Sequence, residues 1–325
     1  MAQAAELPDE VNLAWSDQRL EVAMSALARH DPRPALAVLA ATRSDYHRRA
    51  LCVDVLGHVG QHLLPELRTL VEESNDDPDR WLLLGAALSA AGATARGADV
   101  IERTSDEQID GMQRLTAQGS KALRRAARLA PQDPVPWAEL QHCVMGSSDR
   151  GELDEVFSRV DRLAPDLYPA NVIRLMTLTR KWYGSQEETL AFARARTVDL
   201  PPGHPLLALV PLAQIEGLVD LMMRGNAVTR VWRYMRFSTN KTVLAEVDAA
   251  SHRLLADGAT YRAHPAFMQA HQAFASYYHQ VTEPRRARPH LECGGPRPAA
   301  MPWGYFGDAV EEFQAARKAA GLAVG

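Results

Sequence analysis

The sequence predicts an all-α protein, and three observations predict it. Apolar residues recur at helical spacing through nearly every segment. Those segments are broken at proline, glycine and aspartate clusters: HDPRP, NDDPDR, APQDPVP, APDLYP and DLPPGHP. Runs of alternating β-branched residues long enough for a strand are missing.

Composition bounds the rest. The chain has 325 residues, 46 % hydrophobic and 23 % charged, ordinary for a globular protein with one or two domains. A net charge of −4 argues against general attraction to nucleic acid. The opening stretch MAQAAELPDEVNLAW has neither a basic start nor an apolar core, so no signal peptide is expected. No run of about 18 apolar residues is found, so no membrane span is expected either. Cys52, Cys143 and Cys293 are scattered, without a CxxC pair, as in a cytoplasmic protein with reduced thiols.

Taken in order, DQRLEVAMSALARHD places Leu20, Ala23, Met24 and Leu27 on one helical face. His58 and His62 have i, i+4 spacing in GHVGQHLLPEL, but Gly60 lies between them and the run reads as a turn before Leu63. NDDPDRWLLLGAALSAAG and PQDPVPWAELQHCVMGSS align, with Trp81 and Trp137 in matching positions. GSKALRRAARLAP follows with Gly119, Leu123, Ala126 and Pro131 in a small–large–small–stop pattern. Phe157 and Pro165 repeat that pattern, Pro165 lying 34 residues after Pro131. A long insertion, 93–110, splits the first unit.

On these residues, over roughly 75–205, the chain resembles the tetratricopeptide-repeat superfamily in degenerate form. Its arginine-rich, lysine-poor composition suits a bacterial, actinobacterial-type genome. The resemblance implies a right-handed superhelix of antiparallel helix pairs, because one hairpin leaves a face that only a stacked neighbour buries. It divides the chain into an N-terminal helical flank (1–74), the repeats (75–204) and a C-terminal helical region (205–325). It further implies a concave surface lined by the first helix of each pair: Leu82, Ala86 and Ser89, then Ala138, His142 and Met145. Val172, Met176, Thr179 and Arg180 follow, then Ala208, Leu212, Ile215 and Glu216. Members of the superfamily mostly bind peptides or proteins.

TRKWYGSQEETLAFARA reads as a helical corner. Thr179 to Tyr183 finish one helix, Gly184 stops it at positive φ, and Ser185 with Glu188 forms a capping box for the next. VTRVWRYMRFSTNK spaces Arg230, Arg233 and Arg236 three apart among aromatics, a stripe able to hold an anion. His264, His271 and His279 lie near one face but about 10 Å apart, too far for one metal. The irregular arm 282–308 carries an HxxC pair, His290 and Cys293, and anchors itself through Trp303, Tyr305 and Phe306; Asp308 and Gly321 bound the last helix.

No phosphate-loop, dinucleotide, GxSxG or HExxH motif occurs. The expectation is a binding or scaffold protein that offers its concave face to a peptide or protein partner, with no cofactor, metal, nucleic acid or membrane. Its contacts are His142, Met145, Met176, Arg180, Leu212 and Glu216. The alternative is a helical enzyme or small-molecule receptor accessory to secondary metabolism, with a site near His142, Arg180 and Glu216.

Overall fold

The computed structural model describes residues 14–15, 17–96, 105–146, 149–182, 184–224, 226–257 and 259–323. Among them all regular structure is helical, with sixteen α-helices and no strand. The chain divides into two compact units, built from Ser16–Ala170 and Asn171–Gly325.

The first unit runs through α1 (Gln18–Ala28), α2 (Arg33–Ala41), α3 (Tyr46–Gly60), α4 (Leu64–Glu73), α5 (Pro78–Arg96), α6 (Asp106–Leu129), α7 (Val135–Val144) and α8 (Arg150–Leu163). Helix starts are set locally. Asp17, Asp45 and Asp149 accept backbone N–H groups as N-caps, and Ser105 with Gln108 closes a full capping box. Such a cap is worth about 1 kcal/mol. The predicted inner faces are buried: Leu20, Ala23, Met24 and Leu27 on α1, and Leu123, Ala126 and Ala127 on α6. The insertion at 93–110 lengthens both α5 and α6, which pack along each other; residues 97–104 lie outside the described residues.

The predicted groove register fails at several points: Ala138, Thr179, Ala208, Ile215 and Glu216 are buried. Leu82, Ala86 and Ser89, predicted to line a groove, are buried too. Helix α3, from the flank, packs on α5 there. A Cβ at Gly57 would stand 2.7 Å from that of Ala86, so only glycine permits this approach.

Buried charge ties this unit together. Arg49, 1 % exposed, donates to Asp79 at 2.5 Å, Asp133 at 2.7 Å and the Leu39 carbonyl at 2.6 Å. Arg43 reaches the other Asp79 oxygen at 2.6 Å. Asp79 opens α5 and Asp133 precedes α7, so one guanidinium pins α3 to the starts of both helices. Buried charges persist only when paired and hydrogen-bonded in this way.

Helix α9 (Tyr168–Thr177) leads into the second unit, which holds α10 (Gln186–Thr197), α11 (Leu209–Met223), α12 (Ala227–Ser238), α13 (Lys241–Ala256), α14 (Phe267–Gln280), α15 (Pro284–Cys293) and α16 (Ala309–Ala319). Short 3-10 segments occur at Pro205–Ala208 and Trp303–Tyr305. Helix α14 is its central post, buried on every side from Ala270 to Tyr278, with α11, α15 and α16 against it. Contrary to the sequence expectation, Pro205–Met223 is long and apolar enough to cross a membrane, with a mean hydropathy of 1.7. Two thirds of it (67 %) is buried by α10, α12, α13 and α14, and that packing accounts for its apolar character.

The corner between α9 and α10 differs in two details from its sequence reading. Helix α9 ends at Thr177, with turns after it; Tyr183 lies outside the described residues. Gly184 is absent from the positive-φ glycines. Glycine is needed there because a Cβ would fall 2.1 Å from the Leu178 carbonyl oxygen. Ser185 does cap α10, accepting the Glu188 N–H at 3.1 Å. The arm is also shorter than predicted: 284–293 is helix α15, leaving 294–308 irregular apart from the 3-10 turn at Trp303–Tyr305. Trp303 anchors it, fully buried, donating to Gln272 at 3.0 Å and meeting the Phe313 ring edge-on. Asp308 caps α16, which ends before Gly321.

Candidate functional site: a carboxylate and imidazole recess

In the first unit, α3 and α7 pack on each other and are pinned where Arg49 meets Asp133. From that pin the two helices carry matching groups. Asp54 lies five residues beyond Arg49 and Glu139 six beyond Asp133, a climb of roughly 7.5 to 9 Å at ~1.5 Å per residue. His58 and His142 each lie nine residues beyond their pin, roughly 13.5 Å up. Each helix therefore contributes a carboxylate and, one turn on, an imidazole.

Electrostatics agrees with this placement. Glu139 is only 6 % exposed and has no hydrogen-bond or ion-pair partner among the described residues. Burial, then the charge of Asp54, holds its carboxyl well above the ordinary range. Asp54 is also raised by burial, an effect countered by His142 and then His58. Burial lowers His142, and Asp54 pulls it back up. Asp54, His58 and His142 nonetheless touch solvent. Groups that touch solvent while surrounding protein governs their protonation line a recess. Met145, half-buried, closes α7 beside it.

Such a recess offers two carboxyl groups, one of them pushed toward its protonated form, and two imidazoles that can donate or accept. Among the described residues, no three His, Cys, Asp or Glu side chains are grouped to hold a metal ion. Burial pushes the Cys52 and Cys143 thiols up to about 12 and about 11, so neither is poised as a nucleophile.

The other predicted residues gather elsewhere, in the second unit. Arg180 is exposed and lines a cleft of about 30 Å³ with Thr179, Lys181, Gln186 and Glu216. That is the volume of roughly one water molecule. Glu216 is already satisfied: Lys181 lies 3.0 Å from one oxygen, and the Tyr305 hydroxyl donates to the other. Met176 and Leu212 are half-buried. The arginine stripe stays on the surface of α12, with Arg236 over the Trp232 ring at 5.6 Å and Arg233 donating weakly to the Arg224 carbonyl at 3.4 Å.

The late histidines separate as well. His279 stands 3.7 Å from Glu312, and the His264 ring accepts the Ala266 N–H at 3.1 Å. His271 is sealed in the core with His290, their Nδ1 atoms 2.9 Å apart. His290 Nε2 meets the Ser251 hydroxyl at 2.8 Å, and Phe274 stacks on its ring at 4.8 Å. The HxxC pair does not form a site, since His290 is fully buried in this chain and Cys293 is not part of it.

Sequence reasoning found His142 and missed its companions. The signal was two acid–histidine pairs, Asp54-x-x-x-His58 and Glu139-x-x-His142, each putting both side chains on one helical face. No protein-family model matches the chain, and no curated protein is significantly similar to it.

Proposed function

We propose that the protein is a non-catalytic binding protein whose α3/α7 recess receives a peptide or protein partner, on a tetratricopeptide-like stack of helix pairs. One observation carries the reading: the Glu139 carboxyl makes no hydrogen bond or ion pair among the described residues, and it stands beside the accessible Asp54, His58, His142 and Met145. A carboxyl with no protein partner is open to a donor or acceptor supplied by a bound peptide. Apolar walls with a few convergent polar groups suit peptide recognition. The buried, unactivated thiols add no catalytic element.

The same convergence supports a second reading, an enzyme or small-molecule receptor using Asp54, Glu139 and His142 for proton transfer. A photo-crosslinking residue at Met145, compared with one at Val198 (66 % exposed, in the second unit), separates the two. The binding-protein reading expects a covalent protein adduct from host cells at position 145 and none at 198. A co-purifying small molecule with no protein adduct at 145 overturns it in favour of the receptor.

A further inference from the structure

Away from the recess, the first unit carries a second feature that its packing does not explain. Helix α6 presents Gln118, Lys121, Arg125 and Arg128 at spacings of three, four and three residues, one continuous face about 15 Å long. Across from it stands Arg68 on α4. Together with Trp81, Leu84, Leu88 and Ala122 these residues line a cleft of about 360 Å³. Four cations therefore surround one cleft, and no carboxylate lines it.

Those cations are not engaged with acids. Among the described residues, none of Arg68, Lys121, Arg125 or Arg128 makes an ion pair, whereas Arg124, on the same helix, pairs with Glu152 at 2.7 Å. Arg68 donates to the Gln118 side chain at 2.8 Å, and Arg125 reaches the Asn75 carbonyl at 3.4 Å. Both contacts orient a guanidinium without neutralising it. The floor has a different character. Leu84, Leu88 and Ala122 are apolar, and Trp81 is half-buried, its indole N–H held by the Asn75 carbonyl at 2.8 Å. A fixed aromatic ring beside unpaired guanidinium groups is a surface for stacking a flat ring while binding anionic oxygens. The volume lies at the lower end of the range for small-molecule sites, roughly 300–1,000 Å³.

We propose that the α4–α5–α6 cleft binds a small molecule that carries two or more negative charges and a flat apolar ring, the chemistry of a nucleoside di- or triphosphate. The ring lies against Trp81 and Leu84, and the anionic groups run along Lys121, Arg125 and Arg128, with Arg68 closing from α4. The long basic face favours several charges spread along a chain over a single carboxylate. A macromolecular polyanion fits less well: the chain is acidic overall, and the apolar floor accommodates one ring rather than a track of stacked bases.

Isothermal titration with ATP, ADP, adenosine and inorganic tripolyphosphate tests the assignment on the full chain, with Trp81 fluorescence as a second signal. Saturable binding of ATP is expected, at least tenfold tighter than adenosine or tripolyphosphate and weakening steeply with salt. The Lys121→Gln/Arg125→Gln variant lowers ATP affinity tenfold or more, with its helical circular dichroism unchanged. Trp81→Phe keeps binding but loses the fluorescence response. Absence of saturable ATP binding, equal binding of tripolyphosphate, or unchanged affinity in the double variant each overturns the proposal.

Discussion

Two histidine pairs in this protein have opposite surroundings. His58 and His142, on α3 and α7, touch solvent and stand with Asp54 and Glu139. His271 and His290, on α14 and α15, are fully buried and stand with Ser251 and the aromatic rings of Phe274 and Tyr278. By connectivity the sealed set is the more enzyme-like: a hydroxyl on an imidazole that is held by a second imidazole, with a Tyr278–Asp248 hydrogen bond of 2.8 Å alongside. Yet its polar atoms are shut off from solvent, so its hydrogen bonds fix the packing of α13, α14 and α15. The open pair has looser geometry, but a ligand can reach it. Access, more than the resemblance of a side-chain chain to a catalytic one, separates a site from a core.

The largest expected effect breaks the open pair from a distance. Arg49→Ala removes the guanidinium shared by Asp79 and Asp133, leaving Asp79 to Arg43 alone and Asp133 without its ion pair, and destabilises the first unit by about 3–5 kcal/mol in denaturant titration. Next comes His290→Ala, which opens a cavity and strips partners from both Ser251 and His271. It costs the second unit about 3 kcal/mol by the same measurement. His142→Ala, at an accessible position, stays within about 0.5 kcal/mol.

Acid sharpens the contrast. Burial lowers His271 to about 4 and, together with the proximity of His271, lowers His290 well below its ordinary 6.5. As pH falls through about 6.5 the unfolded chain takes up these protons first. The second unit is therefore fully stable above that value and loses stability steadily toward pH 4, by up to about 3 kcal/mol for His271. Asp166, in the first unit, is shifted the other way: hydrogen bonds from His47 and Tyr46 hold it below its ordinary 3.8, so its contribution persists until pH drops below that value. Amide hydrogen exchange at pH 7 and pH 4.5 is expected to show α14 and α15 losing protection while α8 and the Asp166 turn retain theirs.

The smallest effect is local. Asp54→Asn removes the charge that pulls His142 up, so the His142 titration midpoint moves lower while stability changes by less than about 1 kcal/mol. An unchanged midpoint in the NMR titration of His142 would mean that the two helices do not bring these groups together.

Much of the fold was legible because periodicity reports directly on burial, as Leu20 to Leu27 and Leu123 to Ala127 demonstrate. The site was less legible because its halves lie far apart in sequence. His142 was found from the repeat register, but Asp54 and His58 come from a flank with no recognisable repeat, and α7 is brought to α3 by packing and by the Arg49–Asp133 pin between residues 84 positions apart. Helix α12 shows a different gap. Its arginines drew the sequence reading, while Val228, Val231, Trp232 and Met235 form an exposed apolar face. Spacing alone would send that face to a core, because periodicity marks a face without saying which side of it is covered.

Carbethoxylation of the native protein at neutral pH, mapped by mass spectrometry, tests most directly whether one histidine pair is open and the other sealed. Rapid modification of His58 and His142 is expected, with His271 and His290 protected until the chain unfolds. Modification of His271 or His290 in the folded protein at the rate of His142 would contradict the account.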